Sequence, residues 1–136
     1  MPLGCVYIPP KNTTYTSNES FTEIETEMLS LSNKYDCYTS LIGDMNAKTK
    51  LLEDVTVPDD SLFEIIDDFD NQSLIPYMYH YQNLILKGIS LIRKSDDLSP
   101  PNNYGYRLID LSKWNNLYIG NSRLPGNDFE KGKKNL

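Results

Sequence analysis

The chain has 136 residues, 39% hydrophobic and 24% charged, the length and make-up of a single globular domain. Thirteen Lys and Arg against nineteen Asp and Glu give a net charge of −6, which excludes a protein that wraps nucleic acid by bulk electrostatics. No apolar run approaches the roughly 18 residues of a membrane helix, which rules out a membrane-spanning chain. Residues 1–20 lack a basic start followed by an apolar stretch. No signal peptide is expected there, and the reading is of an intracellular protein, nuclear or cytoplasmic.

Residues 3–8, Leu-Gly-Cys-Val-Tyr-Ile, read as a short buried strand stopped by Pro9 and Pro10. Residues 11–19 are polar and turn-rich. Phe21, Ile24, Met28, Leu31 and Tyr35 then recur at spacings of three and four, which predicts an amphipathic helix from Ser20 to about Lys34. Ser20 and Glu23 form an S-x-x-E capping box at its start. Residues 38–43 read as a second strand. Strand, helix, strand is a βαβ unit, so the two strands are expected to be parallel in one sheet.

Residues 53–70 hold eight acidic side chains, Glu53, Asp54, Asp59, Asp60, Glu64, Asp67, Asp68 and Asp70. They lack the spacing of a calcium loop and read as a solvated face. Leu62, Phe63, Ile65, Ile66 and Phe69 suggest one short helix within that run. From Tyr77 to Ile92 the periodicity does not decide between strand and helix. With four prolines and this acidic run, residues 51–101 are expected to be the least ordered internal region. Leu108, Leu111 and Trp114 predict a helix over about 104–115, with Asn116 as its stop and a short strand at 117–120.

Cys5 and Cys37 lie in apolar strand-like settings. With no neighbouring Cys or His they form neither a disulfide framework nor a metal motif, and they read as reduced core thiols. His80 is the only histidine, so a Ser-His-Asp triad or a His-rich metal centre would have to be built around it. It is expected to be a surface or half-buried imidazole.

The strongest chemical constellation is Leu41-Ile42-Gly43-Asp44-Met45-Asn46-Ala47. It ends a parallel strand, where open α/β sheets place ligands. On an extended segment Asp44 and Asn46 would point to one face. A carboxylate can orient or deprotonate a water, and a carboxamide N–H can hold a phosphate oxygen. Gly, Asp and Asn are equally ordinary residues for a strand-to-turn exit. Tyr7, at the end of the neighbouring strand, can reach the same crevice and offer its phenol to a phosphate oxygen. Alone it reads as a half-buried strand aromatic.

Taken in order, Tyr7-Ile8-Pro9-Pro10, Ile42-Gly43-Asp44-Met45-Asn46-Ala47 and the Asn102 to Arg123 segment resemble the endonuclease/exonuclease/phosphatase superfamily. The likeness is to the branch holding retrotransposon-encoded endonucleases and craniofacial-development-protein-like sequences. It covers residues 3–50 and 93–128, with 51–92 as a divergent connection. The resemblance implies a partial α/β sandwich built on the βαβ unit, and a single incomplete domain over residues 1–136. It implies a phosphodiesterase dependent on Mg2+ or Mn2+ and acting on nucleic acid. Asp44 would position or activate the attacking water, Asn46 would be its partner at the phosphate, and Tyr7 would bind the scissile phosphate. Asn121 and Arg123 fall where the family has a substrate-facing loop.

The sequence departs from the family pattern in two places. No Glu precedes Tyr7, where the family has a metal-binding Glu, and no Ser-Asp-His motif follows. The metal ligands and the oligomeric state are therefore not assigned. The expected function is an endonuclease-like domain with little activity as this chain alone. The alternative is a non-catalytic, mobile-element-derived interaction fragment.

Overall fold

In the computed structural model, which describes residues 2–15, 17, 19–36, 39–59, 61, 80–93, 97–121 and 123, the first strand is β1 (Leu3–Tyr7). Helix α1 (Ser20–Tyr35) and strand β2 (Ser40–Asp44) follow. The strands pair in parallel, with Leu3 beside Ser40, Cys5 beside Ile42 and Tyr7 beside Asp44. The expected βαβ unit is thus present. Two further helices, α2 (Gln82–Leu86) and α3 (Asn103–Trp114), complete the described elements of a mixed α/β chain. None of these helices is long and apolar enough to cross a membrane.

The chain divides into two compact units. The first is Met1–Leu52 with Asp97–Leu111, and the second is Glu53–Asp96 with Ser112–Leu136. In the first unit the strand period of two separates the faces of β1. Gly4 and Val6 are half-buried and Ile8, just past the strand, is buried, whereas Leu3, Cys5 and Tyr7 are exposed. Cys5 is a free thiol but not a core residue, because it falls on the outward parity of the strand. Cys37 lies outside the described residues.

The stripe on α1 divides as its spacing predicts. Phe21 and Met28 are buried, Ile24 and Leu31 half-buried, and only the terminal Tyr35 is exposed, with Lys34 Nζ 5.0 Å from its ring centroid. Phe21 meets Tyr104 of α3 with ring centroids 5.8 Å apart and planes tilted by 52°, a favourable aromatic arrangement. The helix stops at Asp36, which takes a left-handed φ of 43° and donates its N–H to Ser32 O.

The capping box does not form. Glu19, not Ser20, precedes the first helical residue, and no side chain caps the helix. Ser20 Oγ donates backwards to Ser17 O, and Ser17 Oγ accepts the Glu19 N–H. The Glu23 N–H that the box would give to the Ser20 hydroxyl donates instead to Glu19 O at 2.9 Å, because the helix begins one residue earlier than the box requires.

In the second unit α2 settles the ambiguity over residues 82–86 in favour of helix, and Ile89 N–H closes back on Leu84 O at 2.8 Å past Gly88, whose φ is 67°. The short acidic helix expected over 62–69 lies outside the described residues. The connection is not featureless, because Asp54, Val55, Leu84 and Arg93 are all buried. His80 is half-buried, as expected.

Asn116 ends α3 with a φ of 51°, and Leu117 N–H returns to Ser112 O, the six-to-one bond of a Schellman stop. Residues 117–120 are not a strand. Ile119 N–H donates to Asp54 Oδ2 at 2.7 Å, so a carboxylate occupies a donor that a sheet ladder would use.

Two glycines are fixed by close backbone approach. Gly43 has a φ of 147°, and a Cβ there would stand 1.7 Å from Val6 O. Gly105 lies in α3, where a Cβ would stand 1.9 Å from Lys48 O. An exposed helix normally gains about 1 kcal/mol when Ala replaces Gly. Gly105→Ala should reverse that sign and destabilise by about 1–3 kcal/mol, as overpacking against backbone does. The urea midpoint should fall with an unchanged slope; a rise would contradict the close packing of α3 on Lys48.

Candidate functional site

The C-terminal ends of β1 and β2 lie side by side. Ile8 N–H donates to Asp44 O at 2.9 Å, extending the parallel ladder one residue past β1. Tyr7 and Asp44 are register partners, so both project from the same face, and both are exposed. The pairing follows directly from two short strands joined by one helix.

Asn46 does not continue the extended segment. Its φ is 47°, and its backbone N–H donates to Asp44 Oδ1 at 2.9 Å, closing an Asx turn. The simple alternation that would align the two side chains is therefore broken. Asn46 Nδ2 crosses instead to Ile8 O at 2.8 Å. The carboxamide thus ties the end of β2 to the end of β1. One N–H of an amide group with two remains for another acceptor.

Asn102 locks this turn from a distant part of the sequence. Its Nδ2 donates to Asn46 O at 2.9 Å, and its Oδ1 accepts the N–H groups of Lys48 at 3.0 Å and Gly105 at 2.7 Å. Its own N–H donates to Lys48 O at 3.2 Å. The Gly105 bond is an N-cap bond to the third residue of α3. One side chain therefore starts the helix and fixes the turn after Asp44. Asn102 stood within the sequence pattern, but nothing local assigned it this role. The signal was an Asn two residues before the predicted helix start.

The loop that delivers Asn102 is also ordered. Asp97 Oδ1 accepts Ser99 N–H at 2.8 Å. Hydrogen bonds from Ser99, with the Lys48 charge as a smaller contribution, hold the Asp97 carboxyl below the usual carboxylate range.

The second unit holds the other two implied site residues, and they differ. Asn121 is exposed in a turn. Arg123 is not substrate-facing: its side chain is 2% exposed and pairs with Asp54, which is 0% exposed. Nη1 and Nη2 donate to Asp54 Oδ2 and Oδ1, each at 2.7 Å. Nη2 also donates to Leu91 O at 2.7 Å and Nη1 to Ile119 O at 3.3 Å. Both Nη groups are taken by carboxylate and carbonyl oxygens, while Nε is buried without a hydrogen-bond partner.

Asp54 was expected to belong to a solvated acidic face. It is instead the anion around which this unit closes. Burial, with repulsion from Arg123, pulls the Arg93 guanidinium below its ordinary value, while Asp54 opposes that shift. Burial chiefly, and the Asp54 charge, push the Tyr118 phenol up, against the pull of Arg123.

Among the described residues no group of three or more His, Cys, Asp or Glu side chains is placed to hold a metal ion. At the strand ends Asp44 brings one carboxylate, and one of its oxygens already accepts the Asn46 N–H. Mg2+ is commonly held by one or two carboxylates together with substrate phosphates and waters. The described residues do not by themselves make up the implied Mg2+ or Mn2+ site.

Two substitution sets check these arrangements. Asn102→Ala should cost about 2–3 kcal/mol, a helix cap plus further hydrogen bonds. Asn102→Asp, which keeps the acceptor, should cost about 1 kcal/mol less. Equal losses in urea titrations would contradict the split between acceptor and donor. Arg123→Met should cost about 3–5 kcal/mol by stranding a buried carboxylate, and adding Asp54→Leu should recover most of it. A double variant no better than the single one would contradict the coupling of the two side chains.

No protein-family model, no curated protein and no solved structure matches the chain.

Proposed function

We propose that this chain carries the phosphate-facing edge of a metal-dependent phosphodiesterase domain of the endonuclease/exonuclease/phosphatase type, acting on nucleic acid. The observation that carries the reading is the meeting of Tyr7, Asp44 and Asn46 at the ends of two parallel strands. Ligands of open α/β sheets bind outside the carboxyl ends of the strands.

The exposed Asp44 carboxylate would orient or deprotonate a water. The Tyr7 phenol, register partner of Asp44, would donate to a non-bridging oxygen. Asn46 would hold the two strand ends at fixed separation and present its second N–H to the phosphate. A phosphodiester also needs its charge neutralised and its leaving group protonated. Mg2+ or Mn2+ would supply the first when bound, with ligands beyond those described. The chain has no Ser-Asp-His motif, the general base pair that the resemblance implies. Loss of a general acid–base group alone costs about 10²–10⁴ in rate, so activity of these 136 residues alone should be negligible.

One observation favours the alternative, a non-catalytic interaction fragment derived from a mobile element. Leu3, Tyr7 and Ile42 are 62%, 69% and 58% exposed on one face of a parallel sheet, an architecture that normally buries both faces.

The test is a single-stranded oligonucleotide titration followed by amide NMR, with plasmid nicking in Mg2+ and Mn2+ alongside. Shifts centred on Tyr7, Asp44 and Asn46, weakened by Asn46→Ala and accompanied by no nicking, are expected. Binding confined to other residues, or none, would overturn the phosphodiester reading. Metal-dependent nicking that vanishes in Asp44→Ala would overturn the claim of negligible activity.

A further inference from the structure

Between α1 and the inward face of β1 and β2 lies a cleft of about 400 Å³. Val6, Ile8 and Leu41 line it from the strand side, and Ile24, Met28 and Leu31 from the helix. A space of this size falls in the range of small-molecule sites, roughly 300–1,000 Å³. Gly4 borders it without a side chain, and a Cβ there would stand 2.8 Å from the Leu41 side chain, so Leu41 takes up the room that Gly4 leaves.

Two polar features define what would fill it. Glu23 and Glu27, one turn apart on α1, border the cleft and are exposed. Among the described residues no Lys or Arg lines it. Thr39 Oγ1, also in the lining, is buried without a hydrogen-bond partner. Because α1 returns antiparallel to the strands it joins, Glu23 lies toward their C-terminal ends and Thr39 at the start of β2. The cleft is thus apolar along its length, anionic at its rim, and holds one unsatisfied hydroxyl.

We propose that this cleft is a binding site for a small cationic amphiphile, with an aliphatic body against Val6, Leu41, Ile24 and Leu31 and an ammonium group between Glu23 and Glu27. Apolar burial supplies the attraction, and the two carboxylates select the sign of the head group. The cleft reaches the Tyr7–Asp44 edge, since Tyr7 also lines it, but what it offers a ligand is an apolar wall with an anionic rim.

The test uses the whole chain and three probes of equal chain length below their micelle concentrations: n-octylammonium, n-octanol and n-octanesulfonate. Affinity and location are read by amide NMR. Octylammonium should bind roughly fivefold or more tighter than octanesulfonate, with shifts at Gly4, Val6, Leu41 and Ile24. Glu23→Gln with Glu27→Gln, both exposed and expected to fold, should abolish that preference while leaving octanol binding unchanged. Equal affinity for all three probes, shifts confined to the exposed Leu3 and Ile42 face, or no binding would each overturn the proposal.

Discussion

The side chain of Asn102 bonds Lys48 and Asn46, two residues of one turn that lie 54 and 56 positions earlier in the chain. A short parallel strand pair has weak claims to a fixed geometry at its ends, because parallel pairing is slightly less stable per residue and two strands alone are marginal. Here the end is held from outside. Asn46 spans from β2 to Ile8, and Asn102 grips the turn containing Asn46 while capping α3. The close approach of Gly105 to Lys48 lets the helix come near enough for this to happen. Cap, turn and strand ends are thus one structural object, and Tyr7 and Asp44 inherit their placement from it.

The second unit solves a different problem. An acidic chain that buries one carboxylate must surround it with donors, or the cost of desolvation dominates. Asp54 receives two bonds from Arg123 and one from Ile119 N–H. Those bonds explain why residues 117–120 are irregular and why Arg123 is withdrawn from solvent. Such a pair contributes more to defining one arrangement of its segments than to net stability, since a well-packed apolar replacement costs little.

Local pattern made the first unit largely legible. The period of α1, the parity of β1 and the parallel order of the strands were all present in short windows of residues, as was the Asn116 stop in the second unit. What was hidden was set by partners remote in sequence or by competition between neighbours. Glu19 O takes the Glu23 N–H that a capping Ser20 would need. Asn46 leaves the extended conformation because Asp44 and Ile8 both offer it partners. Asp54 looked like one acid among eight, and only a guanidinium 69 residues away distinguishes it. The site was legible as a set of residue types at a strand end. Its bracing by Asn102 was not, because a helix cap that also bonds a distant turn leaves no additional mark in sequence.

Amide hydrogen exchange at Lys48 tests this account most directly. Its N–H has Asn102 Oδ1 as acceptor, and no helix or strand protects it. The account predicts that Lys48 and Gly105 exchange as slowly as the interior amides of α1 around Met28. Exchange of Lys48 at the open-chain rate, while Met28 stays protected, would contradict the claim that Asn102 braces the strand ends.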